Sequence, residues 1–216
     1  MDYSKNHFML FFLFCSMIEQ NVLESSKIEP FKECLIHNLE YKYEYLYASE
    51  TNKFAKDVFT YPLKWIDDFQ KITWNFIPIK IRNLEKNQSY TEKSFYFIKS
   101  AKYTDEYLCG PDKLEAIYSS HGIVKRYRVN VKQLLSKFSC YWDVEEINLM
   151  NYSNKNEHAY TIKNIYFSKR LYPLASFFNF INMKKNIYLW FNKSDLYLNK
   201  YKWLIDCSKG DFIYSK

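Results

Sequence analysis

The sequence predicts an all-β protein, a β-trefoil of three four-strand repeats with about 12 strands. Three observations predict it. First, the stretch Leu35–Ala48, LIHNLEYKYEYLYA, returns as Phe97–Gly110, FIKSAKYTDEYLCG, and in worn form as Thr161–Pro173, TIKNIYFSKRLYP. Each copy leads, after a variable loop, to a Trp with an apolar residue two positions on: Trp74 and Phe76, Trp142 and Val144, Trp203 and Ile205. Second, the spacing is nearly constant. Ile36, Ile98 and Ile162 lie 62 and 64 residues apart, and Leu46, Leu108 and Leu171 lie 62 and 63 apart. Third, 48% of the 216 residues are hydrophobic and 25% charged, the balance of a globular chain able to bury one sizeable core. A four-strand unit cannot bury its own apolar face, so three such units must close on one another around shared anchors.

Taken in order, the chain opens on Phe8–Ile18, FMLFFLFCSMI, an apolar run behind Lys5 and His7. Its length suits the apolar region of a signal peptide, expected over residues 1–20, and is too short to span a bilayer. Repeat one, residues 34–80, contributes strands Leu35–Leu39, Tyr43–Ala48 and Val58–Tyr61. Their β-branched, Leu and Tyr residues alternate with polar ones. Pro62, which has no ladder N–H to donate, ends the third strand. One helical turn within Trp65–Lys71 precedes the fourth strand, Thr73–Ile79.

Repeat two, residues 95–147, has strands Phe95–Ala101, Tyr107–Cys109, Tyr127–Val131 and Cys140–Ile147. Repeat three, residues 159–207, has Tyr160–Tyr166, Arg170–Tyr172, Asn186–Phe191 and Tyr201–Cys207. The expected core anchors are Ile36, Leu46 and Trp74, then Ile98, Leu108 and Trp142, then Ile162, Leu171 and Trp203. Phe59, Val129 and Leu189 serve as the third anchor of each repeat. A polar tail covers 208–216. The linkers between repeats hold Asn87 and Asn151, and a third N-x-S/T sequence lies at Asn192; all three are candidate glycosylation sites.

Removal of the signal peptide leaves Cys34, Cys109, Cys140 and Cys207, an even number suited to an oxidising compartment. Four cysteines allow three pairings. In a trefoil the first and last strands are antiparallel neighbours, which predicts Cys34–Cys207 and leaves Cys109–Cys140. None has C-x-x-C spacing, and no zinc set or other metal site is expected.

Known catalytic and cofactor motifs are absent. There is no G-x-S-x-G, H-E-x-x-H, P-loop or dinucleotide fingerprint, and three glycines leave little for a phosphate-cradling loop. Glu145-Glu146 and Asp67-Asp68 are sequence neighbours that point to opposite faces of a strand, so neither forms an acid/base pair. No enzyme activity and no cofactor are expected. The net charge of +7 gives mild attraction to polyanions and no specific nucleic-acid binding. The best basic cluster is Lys125, Arg126 and Arg128, flanking Tyr127, placed at a loop end where it could meet a sulfated glycan. Leu174–Ile181 carries Phe177 and Phe178 and is either a ligand contact or a plug of the barrel. A ricin-type sugar site goes with a Gln two residues before each Trp. Those positions hold Ile72, Cys140 and Tyr201 instead.

The pattern Ile36, Asn38, Tyr41, Leu46-Tyr47-Ala48, Val58-Phe59, Trp74 and Pro78 resembles that of secreted arthropod β-trefoil proteins. It is similar to the C-terminal half of the low-molecular-weight haemolymph lipoproteins of moths, over about Cys34 to Cys207. Repeat two departs from the pattern with Ser100 and Cys109; repeat three keeps Asn164 but reads Arg170-Leu171-Tyr172-Pro173. No counterpart of the helical domain that precedes the trefoil in the moth proteins is expected ahead of Cys34. The resemblance implies the fold and an extracellular setting. The resulting expectation is a secreted, monomeric, non-enzymatic module that binds a glycan, lipid or protein ligand through its loops. The alternative is a secreted trefoil-type protease inhibitor or effector acting through one loop such as Gly110–Lys125.

Overall fold

The computed structural model describes residues 31–50, 55–82, 92–111, 122–147, 159–174, 185–190 and 199–207, and structural statements below concern these residues. The expected signal peptide, Asn87, Asn151, Asn192, Phe177, Phe178 and the tail 208–216 lie outside them. The described chain is all-β, with thirteen strands in one continuous sheet.

The first and last strands of the repeats close a ring. Repeat one supplies β1 (Phe31–Asn38) and β4 (Thr73–Arg82). Repeat two supplies β5 (Glu92–Ser100) and β9 (Trp142–Ile147), and repeat three β10 (Ala159–Asn164) and β13 (Trp203–Cys207). Around the ring β1 pairs β4, β4 pairs β5, β5 pairs β9, β9 pairs β10, β10 pairs β13, and β13 returns to β1, all antiparallel. Closure leaves none of these strands with a free edge. The inner strands form one hairpin per repeat: β2 (Glu44–Ala48) with β3 (Ala55–Pro62), β6 (Glu106–Cys109) with β8 (Lys125–Arg128), and β11 (Lys169–Leu174) with β12 (Lys185–Trp190). β3 ties the hairpins together by pairing both β8 and β12.

Repeat two differs from its expected layout. Its third strand is not Tyr127–Val131 but a pair of pieces, β7 (Gly122–Ile123) on β12 and β8 on β6 and β3. This raises the count above twelve. Val131 instead starts helix α1 (Val131–Ser136). The cause is local: Asn130 accepts the Gln133 N–H while the Gln133 side chain accepts the Asn130 N–H, a reciprocal cap that satisfies two donors no helical turn could.

The nine Ile, Leu and Trp anchors are fully buried in one cluster. Each Leu or Ile so buried contributes roughly 1.5–3 kcal/mol. A buried indole needs a partner for its N–H. All three find the same one, the carbonyl of their own repeat's Leu anchor: Trp74 to Leu46 at 2.9 Å, Trp142 to Leu108 at 2.8 Å and Trp203 to Leu171 at 3.3 Å. The last strand of each repeat is thereby bonded to the hairpin of the same repeat. Two places after Leu108 the packing leaves no room for a side chain. At Gly110 an added Cβ would sit 2.9 Å from Leu189 and from Phe167.

The third anchors need correction. β2 pairs β3 with Leu46 opposite Thr60 and Ala48 opposite Val58, so Val58 and Thr60 face inward and are fully buried. Phe59 faces outward, stacked on Tyr47 at 5.0 Å. In repeat two Val124 and Arg126 take the inward places, and Val129 packs against an outer cluster under α1. Leu189 faces inward as expected, opposite Leu171. Shifting the phase of a strand by one residue exchanges its two faces.

Disulfides join Cys34 to Cys207 and Cys109 to Cys140. The first links directly opposed residues of β1 and β13. The second sits outside the ring, tying hairpin two to the 3-10 turn Phe138–Cys140. Asn38 and Asn164 staple neighbouring repeats: Asn38 donates to the Lys200 and Lys202 carbonyls, and Asn164 to that of Ser139.

Candidate functional site

Inside the ring the anchors pack with Phe76, Val144 and Ile205 into one buried apolar cluster. The three positions two before each Trp are also closed. Ile72, Cys140 and Tyr201 are buried, the first against Tyr47 and Phe59 and the second in its disulfide. Among the described residues no group of three His, Cys, Asp or Glu side chains could hold a metal ion, and no helix is long and apolar enough to cross a membrane.

The basic cluster does not exist as a surface patch. Arg128 is exposed and Lys125 half-buried, but Arg126 points into the cap and is fully buried. Its guanidinium pairs with Glu106 at 2.7 Å, donates to the Ser49 carbonyl of hairpin one, and lies 4.2 Å from the centre of the Tyr103 ring. Burial pulls the guanidinium below its ordinary pKa, and Glu106 opposes that shift. The register explains the burial: Arg126 stands opposite Leu108, as Thr60 stands opposite Leu46 and Leu189 opposite Leu171. A second polar contact lies across hairpins one and three, where Glu44 accepts from Thr60 at 2.6 Å and pairs with Lys185.

The open chemistry of the described surface lies on repeat one. Six large apolar side chains are exposed, and four of them, Tyr43, Leu63, Trp65 and Phe69, belong to this repeat. The segment after β3 folds back over the outer face of hairpin one, burying Ile72 and half-burying Ile66 against Tyr47 and Phe59. Two 3-10 turns, Leu63–Trp65 and Phe69–Ile72, shape that segment, which leaves Trp65 and Phe69 facing solvent. The Leu63 N–H bonds the Tyr43 carbonyl at 3.0 Å, which ties the start of the segment to the residue that enters hairpin one.

Beside Phe69 lies a cleft of about 550 Å³ lined by Lys32, Glu33, Leu35, Phe69, Gln70, Thr73, Asn75 and Ala101. It forms where β1 shifts register against β4 between Phe31 and Cys34. Glu33 adopts φ 56°, a left-handed conformation costly for a residue with a side chain, and its N–H is held by the Asn75 side-chain oxygen at 2.9 Å.

The underside of the segment is held by charge. Lys71, nearly buried, pairs with Glu50 at 2.8 Å and Asp67 at 3.0 Å. These bonds, that to Glu50 foremost, hold its ammonium above the ordinary lysine value against desolvation. Asp68 caps the second 3-10 turn by accepting the Gln70 N–H, and pairs with Lys102 at 2.8 Å. Lys102 first, then the Gln70 N–H, depress its carboxyl pKa, and Lys71 does the same for Asp67.

No protein-family model and no curated protein sequence matches the chain. Its fold is similar to part of the S. cerevisiae protein O-mannosyltransferase Pmt1-Pmt2 complex bound to the sugar donor, at 10% identity and a TM-score of 0.54, over 81% of this chain and 24% of that one. It is also similar to a Caenorhabditis elegans protein of unknown function, at 12% identity and TM-score 0.52, over 84% of this chain and 97% of that one. An SDF2-like protein from Arabidopsis thaliana is similar at 10% identity and TM-score 0.51, over 82% and 93%. The chain thus spans about a quarter of the mannosyltransferase chain. These likenesses bear on the fold alone.

Proposed function

We propose that this chain is a secreted, non-enzymatic β-trefoil binding module whose ligand, a glycan, lipid or protein, docks on the outer face of repeat one. The observation that carries the proposal is the concentration there of exposed Tyr43, Leu63, Trp65 and Phe69, next to a cleft with polar walls. Exposed aromatic side chains on a rigid scaffold are a usual device of recognition, because loops vary without unpacking the core. The closed six-strand ring, the three hairpins and the three equivalent indole bonds support the trefoil assignment. Two disulfides support folding in an oxidising compartment and hence secretion. Kinship with the secreted arthropod trefoil proteins and glycosylation at the N-x-S/T sequences belong to the same proposal.

The test is a screen of secreted protein on a glycan array, on lipid vesicles and against a protease panel, with the Trp65→Ser and Phe69→Ser variants beside it. The expected result is a ligand whose binding falls at least tenfold in these variants while their melting temperature stays within a few degrees of the parent. Protease inhibition unaffected by either substitution would overturn the proposal in favour of an inhibitor acting from another loop.

A further inference from the structure

We infer that the cleft between β1 and β4 of repeat one is a saccharide subsite that holds a neutral pyranose ring, with Phe69 as its stacking wall. This rests on the reading of repeat one as the ligand face and names the ligand class for part of it. A pyranose has an apolar face of C–H groups and a rim of hydroxyls, each both donor and acceptor. The cleft presents the complement. Its apolar side is Phe69, 59% exposed, with Leu35 and Ala101. Its polar side brings donors and acceptors of both kinds from Gln70, Thr73, Asn75, Lys32 and Glu33. One cation and one anion on the rim favour a neutral ligand over a charged one. A volume of about 550 Å³ falls within the ordinary range for small-molecule sites.

Two features make the site preorganised. The Asn75 side-chain oxygen is committed to the Glu33 N–H, which fixes the amide plane and leaves its NH2 edge as an oriented donor. Gln70 lies in a 3-10 turn whose start is capped by Asp68, so its side chain departs from a fixed backbone. The left-handed Glu33 that opens the cleft is maintained by the same Asn75 bond. Strain of this kind, of order 1–3 kcal/mol, persists where surrounding structure enforces it and clusters at binding sites. An extended peptide adding itself as a strand is a poor fit, because β1 and β4 each already have partners on both sides.

The test uses the methyl pyranosides of glucose, galactose, mannose and N-acetylglucosamine as probes, in saturation-transfer NMR with the intact secreted protein. At least one should receive saturation. Phe69→Ala should abolish the signal, and Gln70→Ala should weaken binding about tenfold. Both side chains are surface groups of a capped turn, so the variants should keep the parent melting temperature. Asn75→Asp, which keeps the acceptor for Glu33 and removes the NH2 donor, should weaken binding likewise. No transfer from any pyranoside at millimolar concentration, or transfer unchanged in Phe69→Ala, overturns the subsite. The Trp65→Ser variant separates this failure from that of the wider proposal, because Trp65 does not line the cleft. Another ligand lost in Trp65→Ser with no pyranoside bound overturns the subsite and leaves the ligand face standing. Pyranoside binding lost in Phe69→Ala and kept in Trp65→Ser supports the subsite on its own.

Discussion

Replacing Arg126 with Leu should destabilise the protein severely, and replacing Glu106 with Leu at the same time should restore most of the loss. Arg126 is fully buried and Glu106 nearly so, with their charged atoms 2.7 Å apart. Removing one member of a buried pair leaves the other uncompensated in low dielectric, at about 3–5 kcal/mol. The structure itself indicates that Leu fits the position, because Leu189 occupies the equivalent place in repeat three, opposite Leu171. In the double variant no buried charge remains. The residual cost is the Ser49 carbonyl, which loses the guanidinium donor, at roughly 1–3 kcal/mol. Two single losses of about 3–5 kcal/mol each, set against about 1–3 in the double variant, make the expected coupling between the two sites at least about 3 kcal/mol. The assay is urea unfolding of the parent, both single variants and the double variant, with disulfides kept oxidised. A single-variant loss should move the midpoint by about 1–2 M for a slope of 2–3 kcal/mol/M. Single losses below about 1 kcal/mol, or a double variant equal to the sum of the singles, would refute the account of Arg126 as a buried, paired charge.

Trp142→Phe should cost about 2–4 kcal/mol, from lost buried area and a Leu108 carbonyl without its indole donor; equal thermal midpoints of parent and variant would remove that bond from the core account. Acid should loosen the segment around Asp67 and Asp68. Both carboxyls are held below their ordinary value of 3.8 in the folded state, so their contribution is complete above that value and fades as pH falls through the depressed one. The Asp67→Asn/Asp68→Asn variant should show a flatter loss of stability between pH 4 and pH 2 than the parent. Parallel curves would count against the two pairings with Lys71 and Lys102.

Tertiary register overrode the sequence most clearly at β3 and β8. Val58-Phe59-Thr60 and Val124 to Val129 offer apolar or aromatic residues in both phases of a strand, so alternation alone does not decide which phase faces the axis. The pairing of Leu46 with Thr60 and of Leu108 with Arg126 decided it, turning Phe59 outward and a guanidinium inward. Helix α1 is a different kind of miss. Its Asn130–Gln133 cap is legible in the sequence, and the apolar residues around Val129 masked it as a strand.

The sequence by itself determined the all-β class, the nine buried anchors and the cysteine pairing. The first two follow from apolar side chains at positions repeated three times, which must be buried wherever the chain closes; the pairing follows from the first and last strands lying side by side. The candidate site was not legible in the same way. Its cleft draws Lys32, Glu33 and Leu35 from one strand, Phe69 to Asn75 from the turn and strand after the hairpin, and Ala101 from the next repeat. No spacing in the sequence joins these residues, because the strand register and the bulge at Glu33 create the cavity between them. Only the folded chain decides where a surface is concave, since concavity belongs to the relative placement of strands and to no single segment.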